Sequence, residues 1–395
     1  MVDVFQVADL LVSYAVGSYG EEIDLIGYYG SYAQGVATDE SDLDIFYIPA
    51  DGKHPPVSHT VLIAGILFDF WPITWETMEG FASGRIRGWA YAPALVHHAK
   101  VLYSRADAAA VRLAGLQQHI VDLQQPAARP HMVQRALDRF QCVYTHLGKL
   151  RLATASGDFT DVRHAGWQVI SAALECLALA NQTFFERGGC AMLEQLARLQ
   201  ARPANLEHLI TIISTSTEPT DIAAAAEALA VGTRQVLRQC QASRPAQQTV
   251  HDQFRNAYPE INAQIGKVLS ACRQQHPVAA SSAAWITQHD VGLMLAALGN
   301  ETGSHPEFNC YSEYSGLYRE IGLPDLMSEP FSDLRTVAEQ AMVFDTRLRS
   351  WLCAQSVALN EYRTVEEFAQ SLTDAGETQT AEGEARGNHS ADTIS

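Results

Sequence analysis

Asp42 and Asp44, in the run Ser41-Asp42-Leu43-Asp44-Ile45-Phe46, are the residues most ready for chemistry. On an extended strand, residues two apart project from one face, so both carboxylates point the same way while Leu43 and Ile45 enter a core. Such a pair suits a hard cation. Mg²⁺ takes a few carboxylates, several waters and substrate phosphate oxygens, and two such ions can polarise an attacking oxygen and stabilise departing pyrophosphate. Asp-x-Asp also occurs in ordinary loops, so the pair needs a second motif beside it.

That motif lies upstream. Gly30-Ser31 closes the apolar run Leu25-Ile26-Gly27-Tyr28-Tyr29 and opens a short polar segment that ends at Gly35. Gly30 lets backbone approach phosphate, and the N–H groups that follow, with the Ser31 hydroxyl, supply donors to it. Alone, Gly-Ser reads as a turn or helix cap. With Ser41, Asp42 and Asp44 at the head of the next apolar strand, packing no longer explains it, and Gly30, Ser31 and Ser41 become nucleotide-binding candidates.

Taken together, Gly30-Ser31-Tyr32-Ala33-Gln34-Gly35 and Ser41-Asp42-Leu43-Asp44-Ile45 resemble the signature of the polymerase-β-like nucleotidyltransferase superfamily, with the nearest likeness to its small-molecule and antibiotic-type branch. The likeness is specific over residues 20–105 and architectural beyond them. It implies a minimal catalytic domain paired with a helical domain, an NTP as co-substrate, and transfer of a nucleoside monophosphate to an acceptor hydroxyl. It also implies Mg²⁺, as two ions, and a third carboxylate on a later strand. Asp69 in Leu67-Phe68-Asp69-Phe70-Trp71 is the match, since alternation frees it from Phe68 and Phe70 to share a metal and accept the acceptor's proton. Many relatives carry a basic residue where Gln34 stands, which leaves that phosphate contact weaker or absent.

Other residues are weaker candidates. Glu76 and Glu79 sit in a helical pattern and read as solvated. Arg85 and Arg87 are rare positive charges in an acidic region, suited to neutralising a triphosphate, although surface arginines in a turn are as good a reading. Lys149, Arg151, Asn181, Phe184, Phe185, Glu186 and Arg187 are candidates to line an acceptor cleft. Arg139 and His146 stand in an R-x₆-H arrangement that loosely resembles a helical ribonuclease family, the higher eukaryote and prokaryote nucleotide-binding domains, whose members partner minimal nucleotidyltransferases; ordinary helix-surface residues are the plainer reading.

The elements that must position these residues follow from periodicity. Residues 2–19 form an amphipathic helix, followed by strands at 25–29 and 43–48 joined by a turn and short helix. A third strand is expected over 61–71, interrupted at Gly65 by a bulge or close approach. Helices at 74–84 and 90–99 and a short strand at 101–103 complete the first domain. Helical periodicity then dominates 130–275, and the Pro, Ala and Ser content of 274–284 suggests a linker before helices at 333–359 and 364–372. The expected fold is α+β: a small mixed-sheet nucleotidyltransferase domain over 1–105, a helical bundle over 106–277, a helical C-terminal region over 278–372 and a disordered, dispensable acidic tail over 373–395.

Composition bounds the partners. The 395 residues carry a formal net charge of −18, which repels the phosphate backbone that drives most nucleic-acid binding. Long nucleic acid is disfavoured, and a small hydroxyl-bearing acceptor, cationic in one version, is favoured. No apolar run reaches membrane-spanning length and the start lacks a signal-peptide pattern, so a cytoplasmic protein is expected. The seven cysteines are scattered without C-x-x-C spacing and read as buried thiols. The other classes left open are a nucleotide-binding regulatory or antitoxin-like module without turnover, and nucleotidyl transfer to RNA or protein.

Overall fold

The computed structural model describes residues 3–38, 41–187, 192–241, 249–298 and 310–372. The chain divides into two compact units, Met1–Ala242 and Ser243–Ser395. The tail over 373–395 lies outside the described residues, as do Cys190 and Gly188.

The first unit opens with helix α1 (Val4–Tyr19), capped by Asp3, whose carboxylate accepts from the Phe5 and Gln6 N–H groups. Strand β1 (Ile23–Tyr29), helix α2 (Ser31–Gln34) and strand β2 (Leu43–Pro49) follow, then β3 (His59–Ile63) and β4 (Ile66–Pro72). Helices α3 (Trp75–Ser83) and α4 (Ala92–His97) lead to β5 (Lys100–Ser104) and α5 (Asp107–Leu123). The sheet order is β3-β4-β2-β1-β5, with β2 and β4 parallel and the other pairs antiparallel. Where one interrupted strand was expected over 61–71 there is a hairpin. Ala64 and Gly65 both take positive φ, +49° and +87°, as a two-residue turn requires.

Both faces of the sheet are covered. Ile23, Ile26, Leu43, Ile45, Phe68 and Phe70 pack with Val4, Ala8 and Ala15 of α1. Leu25, Phe46 and Ile48 pack on the other face with Met78, Ala82, Val96, Leu113 and Ile120. Because α5 supplies Ala109, Leu113 and Ile120 to that layer, the sheet layer reaches past residue 105, where sequence reading ended it.

The bundle of this unit is built on α6 (Arg129–Ser156) and α7 (Phe159–Ala180), joined by α8 (Met192–Ala197), α9 (Leu206–Thr215) and α10 (Pro219–Cys240). α10 packs on α6, α7 and α9. α7 is buried without a break from Ala173 to Ala180, so its apolar content serves contacts on all sides rather than one stripe.

The second unit holds α11 (Val250–Phe254), α12 (Tyr258–Arg273), α13 (Pro277–Ala296), α14 (Tyr311–Tyr314), α15 (Gly316–Glu320) and α16 (Leu334–Ala354), with a last helix over 365–372. The expected linker at 274–284 is instead the start of α13. Pro277 stands at the head of that helix, where its missing N–H is unneeded and its fixed φ already suits a helix. α12, expected in the bundle, packs on α13 and α16 through Tyr258, Ile265 and Val268. Among the described residues no helix is long and apolar enough to cross a membrane. Of the described cysteines only Cys176 and Cys272 are buried, while Cys310 and Cys353 are exposed, so the thiols are not uniformly core residues as the sequence suggested.

Candidate active site

Alternation along β2 sends Phe46 and Ile48 toward α3–α5 and places Asp44 on that same face, at the strand's first turn of the pleat. Leu43 and Ile45 enter the α1 side, as the spacing requires. β4 runs parallel to β2, and its register sets Asp69 directly beside Asp44. On the other flank Tyr29, the last residue of β1, is the partner of Asp44. Asp42 stands just before β2, exposed and close enough to act electrostatically on Asp44. The structure thus brings all three sequence-selected aspartates to one end of one sheet face.

The electrostatics are those of like charges held together. Burial, then Asp42, then Asp69 push the Asp44 carboxyl from its usual range up to about 6. The Tyr29 phenol is pushed well above its usual value, by burial first and by Asp44 next. No Lys, Arg or His acts on Asp44 among the causes of its shift. Asp69 has one neutral partner, Thr60, whose hydroxyl donates to Asp69 Oδ1 at 2.7 Å across the β3–β4 hairpin.

Gly30 follows β1 with φ +78° and ψ −154°, backbone open in practice only to glycine. A Cβ there would stand 3.2 Å from Asp44 Oδ2, so the glycine keeps the turn against the carboxylate. The next residue, Ser31, has its hydroxyl oxygen buried without a hydrogen-bond partner. Ser41 is engaged locally, its hydroxyl accepting from Thr38 N–H at 2.8 Å. The donor set here is hard oxygen throughout, which suits Mg²⁺ in type. It is not a closed cage: no group of three or more His, Cys, Asp or Glu side chains among the described residues stands in ready ligating geometry.

The segment after α7 reaches back to this region. Gln34 Nε2 donates to the Glu186 carbonyl at 3.4 Å, His98 Nε2 lies 3.4 Å from Glu186 Oε1, and Phe185 N–H donates to the Ala90 carbonyl at 2.6 Å. Asn181, Phe184, Phe185 and Glu186 line a cavity of about 750 Å³ with Arg129 and Arg198. Other expected cleft residues do different work. Arg151 pairs with Glu227 at 2.8 Å, and Lys149 lines a separate groove between α6 and α7 with Asp161 and His164. Glu79 pairs with Arg112. Arg85 and Arg87 have no contact with the three aspartates among the described residues; Arg87 lines a cavity against α6 and α7.

Residues 114–243, a range that begins within α5 and takes in α6 to α10, match the family model described as the KNTase C-terminal domain. Over that stretch the chain is similar to the helical domain of antibiotic-type nucleotidyltransferases, a branch of the polymerase-β-like superfamily. The chain matches no curated protein. The solved structure of a nucleotidyltransferase-like protein from Exiguobacterium sibiricum 255-15 aligns over 67% of this chain and 89% of its own, at 13% identity and a TM-score of 0.35.

Two residues of the first unit are not marked by the sequence patterns. Thr60 is equidistant with Asp69 from the Ala64-Gly65 turn, so reading that turn as a hairpin would have paired them. Glu175 is a lone acid in the apolar stretch of α7; its Oε1 accepts from Gly88 and Trp89 N–H at 3.1 and 2.9 Å and its Oε2 from Ala90 N–H at 2.8 Å. A carboxylate isolated in an apolar helix requires such partners, and that was the available signal.

Proposed function

We propose that this nucleotidyltransferase moves a nucleoside monophosphate from an NTP to a hydroxyl of a small-molecule acceptor, with Mg²⁺ and release of pyrophosphate. The observation that carries the reading is the placement of Asp44 beside Asp69, with Asp42 and the Gly30-Ser31 turn against them and no cation acting on Asp44. Asp42, Asp44 and Asp69 would hold the metal, as two ions. Mg²⁺, when bound, supplies positive charge to the phosphate oxygens and offsets the repulsion among the carboxylates.

The chain's own residues bind and orient. The Gly30 backbone leaves room for phosphate against the turn, and the Ser31 hydroxyl has unspent hydrogen-bonding capacity there. Ser41, just before Asp42, is tied to Thr38, whose N–H donates to its hydroxyl. Asp69, steadied by Thr60 at one oxygen, keeps the other to accept the acceptor's proton. The acceptor oxygen forms its bond to the α-phosphorus as the bond to the bridging oxygen breaks, and pyrophosphate leaves with that electron pair.

The test is thermal unfolding with each of the four NTPs, with and without Mg²⁺, followed by pyrophosphate release on adding a panel of hydroxyl-bearing acceptors. Stabilisation that needs NTP and metal together, and is absent in Asp42→Asn, is the expected result. Equal stabilisation of wild type and Asp42→Asn would remove the metal assignment.

A further inference from the structure

We propose that Arg87, Arg139, His146 and Gln168 form a second binding site in the first unit, one that takes a phosphate-class oxyanion. These residues, with Cys142 and Glu175, line a cavity of about 230 Å³ between the turn at 84–91 and helices α6 and α7. It is separate from the aspartates and does not rest on the transfer reaction proposed above.

In a chain of net charge −18, several arginines gather here without a carboxylate partner. No carboxylate among the described residues pairs with Arg85, Arg87, Arg135 or Arg139. Arg139 spends Nη2 on the Arg85 carbonyl at 2.9 Å, which holds the turn and leaves the rest of its planar fork uncommitted. One helical turn earlier, Arg135 has Nη1 buried without a partner against the same turn, where a Cβ on Gly84 would meet it at 2.9 Å. His146 has a buried Nδ1 without a partner. Burial, then Lys149, lower its basicity, so near neutral pH that nitrogen can serve as a neutral partner.

Glu175, the one acid on the wall, offsets part of this positive charge but makes no direct ion pair with either guanidinium, because both its oxygens accept from the Gly88, Trp89 and Ala90 N–H groups. Two guanidinium groups against one carboxylate leave the cavity wall positive on balance, with N–H donors to offer an anion. A phosphate or phosphate monoester is anionic near pH 7, and its several oxygens can meet two arginine forks at once with bidentate geometry, which one carboxylate does less well. The phosphoryl group can come from a free or small organic phosphate, or from the tail of the nucleotide itself.

The experiment is isothermal titration of inorganic phosphate, and separately of ATP, into the full chain in EDTA. Wild type is compared with Arg87→Gln, Asp44→Asn and Arg151→Gln, the last removing an exposed arginine that pairs elsewhere with Glu227. Saturable metal-free phosphate binding is expected in wild type, Asp44→Asn and Arg151→Gln, and at least about tenfold weaker binding in Arg87→Gln. Metal-free binding of ATP alone, with the same Arg87 dependence, upholds the site and identifies the phosphoryl group as the nucleotide's. The proposal is overturned if neither ligand saturates, if Arg151→Gln weakens binding as much as Arg87→Gln does, or if Asp44→Asn abolishes it. Phosphate binding that fails while the NTP and Mg²⁺ effect at Asp42 persists refutes this cavity and leaves the transfer reading intact.

Discussion

Asp44 on β2 and Asp69 on β4 are direct register partners in a parallel strand pair. Side chains at paired positions share a face at close range, and like charges so placed destabilise a sheet. Among the described residues no arginine or lysine pairs with either; the Thr60 hydroxyl donates to Asp69, and Asp44 carries a raised pKa. A fold that keeps this arrangement gives up stability at the position where a cation would bind.

That cost has a pH signature. A carboxyl whose folded pKa is raised holds its proton more tightly in the folded than in the unfolded chain. Stability therefore falls as pH climbs from the usual carboxylate range to about 6, and the loss is complete above it. Because Asp44 is partly open to solvent, about 1–2 kcal/mol is expected rather than the full converted shift. Asp44→Asn should stabilise the metal-free protein by that amount at roughly pH 7.5, and the gain should vanish near about pH 4. Calorimetric unfolding in EDTA across that range checks it; a gain that stays constant with pH would assign the effect to packing instead of charge.

Gly30 and Gly35 bracket α2 with positive φ, +78° and +74°, and they offer a matched pair of substitutions. Gly30→Ala places a methyl 3.2 Å from Asp44 Oδ2 in backbone reserved for glycine, whereas Gly35→Ala meets nothing within 4 Å. Gly30→Ala should cost about 1–3 kcal/mol and weaken metal-dependent NTP binding at least about tenfold; Gly35→Ala should show only a left-handed backbone penalty of about 1 kcal/mol. Titration of NTP with Mg²⁺ into both variants decides it, since equal losses would mean that the approach to Asp44 is immaterial.

How far sequence reading reached depended on the range of the interaction. Period-two alternation at Asp42-Leu43-Asp44 and Phe68-Asp69-Phe70 is local, so the facing of those side chains was legible, as were the helices at either end of the sheet. The adjacency of β2 and β4 is a long-range pairing, and nothing in either strand alone specifies it. At Gly65 a bulge or close approach is the natural reading, because 61–71 is apolar apart from Asp69 and only the partner strand distinguishes these from a turn. Pro277 misled in the same way, since proline begins a helix as readily as it interrupts one. Arg87 and Arg139 lie 52 positions apart by number and meet only through packing of the 84–91 turn on α6, which periodicity does not encode.

Glu175 should prove structural. Each of its oxygens faces backbone donors, so Glu175→Gln turns one oxygen into an amide NH₂ that opposes an N–H of Gly88, Trp89 or Ala90. A loss of about 1–3 kcal/mol is expected for Gln, and more for Glu175→Ala, which strands all three donors. Hydrogen exchange at the Trp89 and Ala90 amides should quicken in both variants. Unchanged exchange there would show that the carboxylate does not hold the turn.

The final prediction concerns the acceptor. Residues 1–105 hold thirteen acids against five bases, Lys53, Arg85, Arg87, Lys100 and Arg105. Arg105 is committed to Asp24 at 2.5 Å, and Arg87 faces the cavity on α6 and α7, which leaves few cations free to follow a nucleic-acid backbone. An RNA acceptor needs several phosphate contacts, each contributing to a steep salt dependence. A small hydroxyl-bearing molecule needs none, and a cationic one such as an amino sugar is drawn to an acidic cleft, with attraction that fades as salt screens it. Incubating the protein with labelled NTP and Mg²⁺ should therefore label members of a small-hydroxyl panel and leave tRNA unlabelled, with cationic acceptors losing rate most steeply as salt rises. Efficient labelling of tRNA with no small acceptor labelled would reverse the assignment.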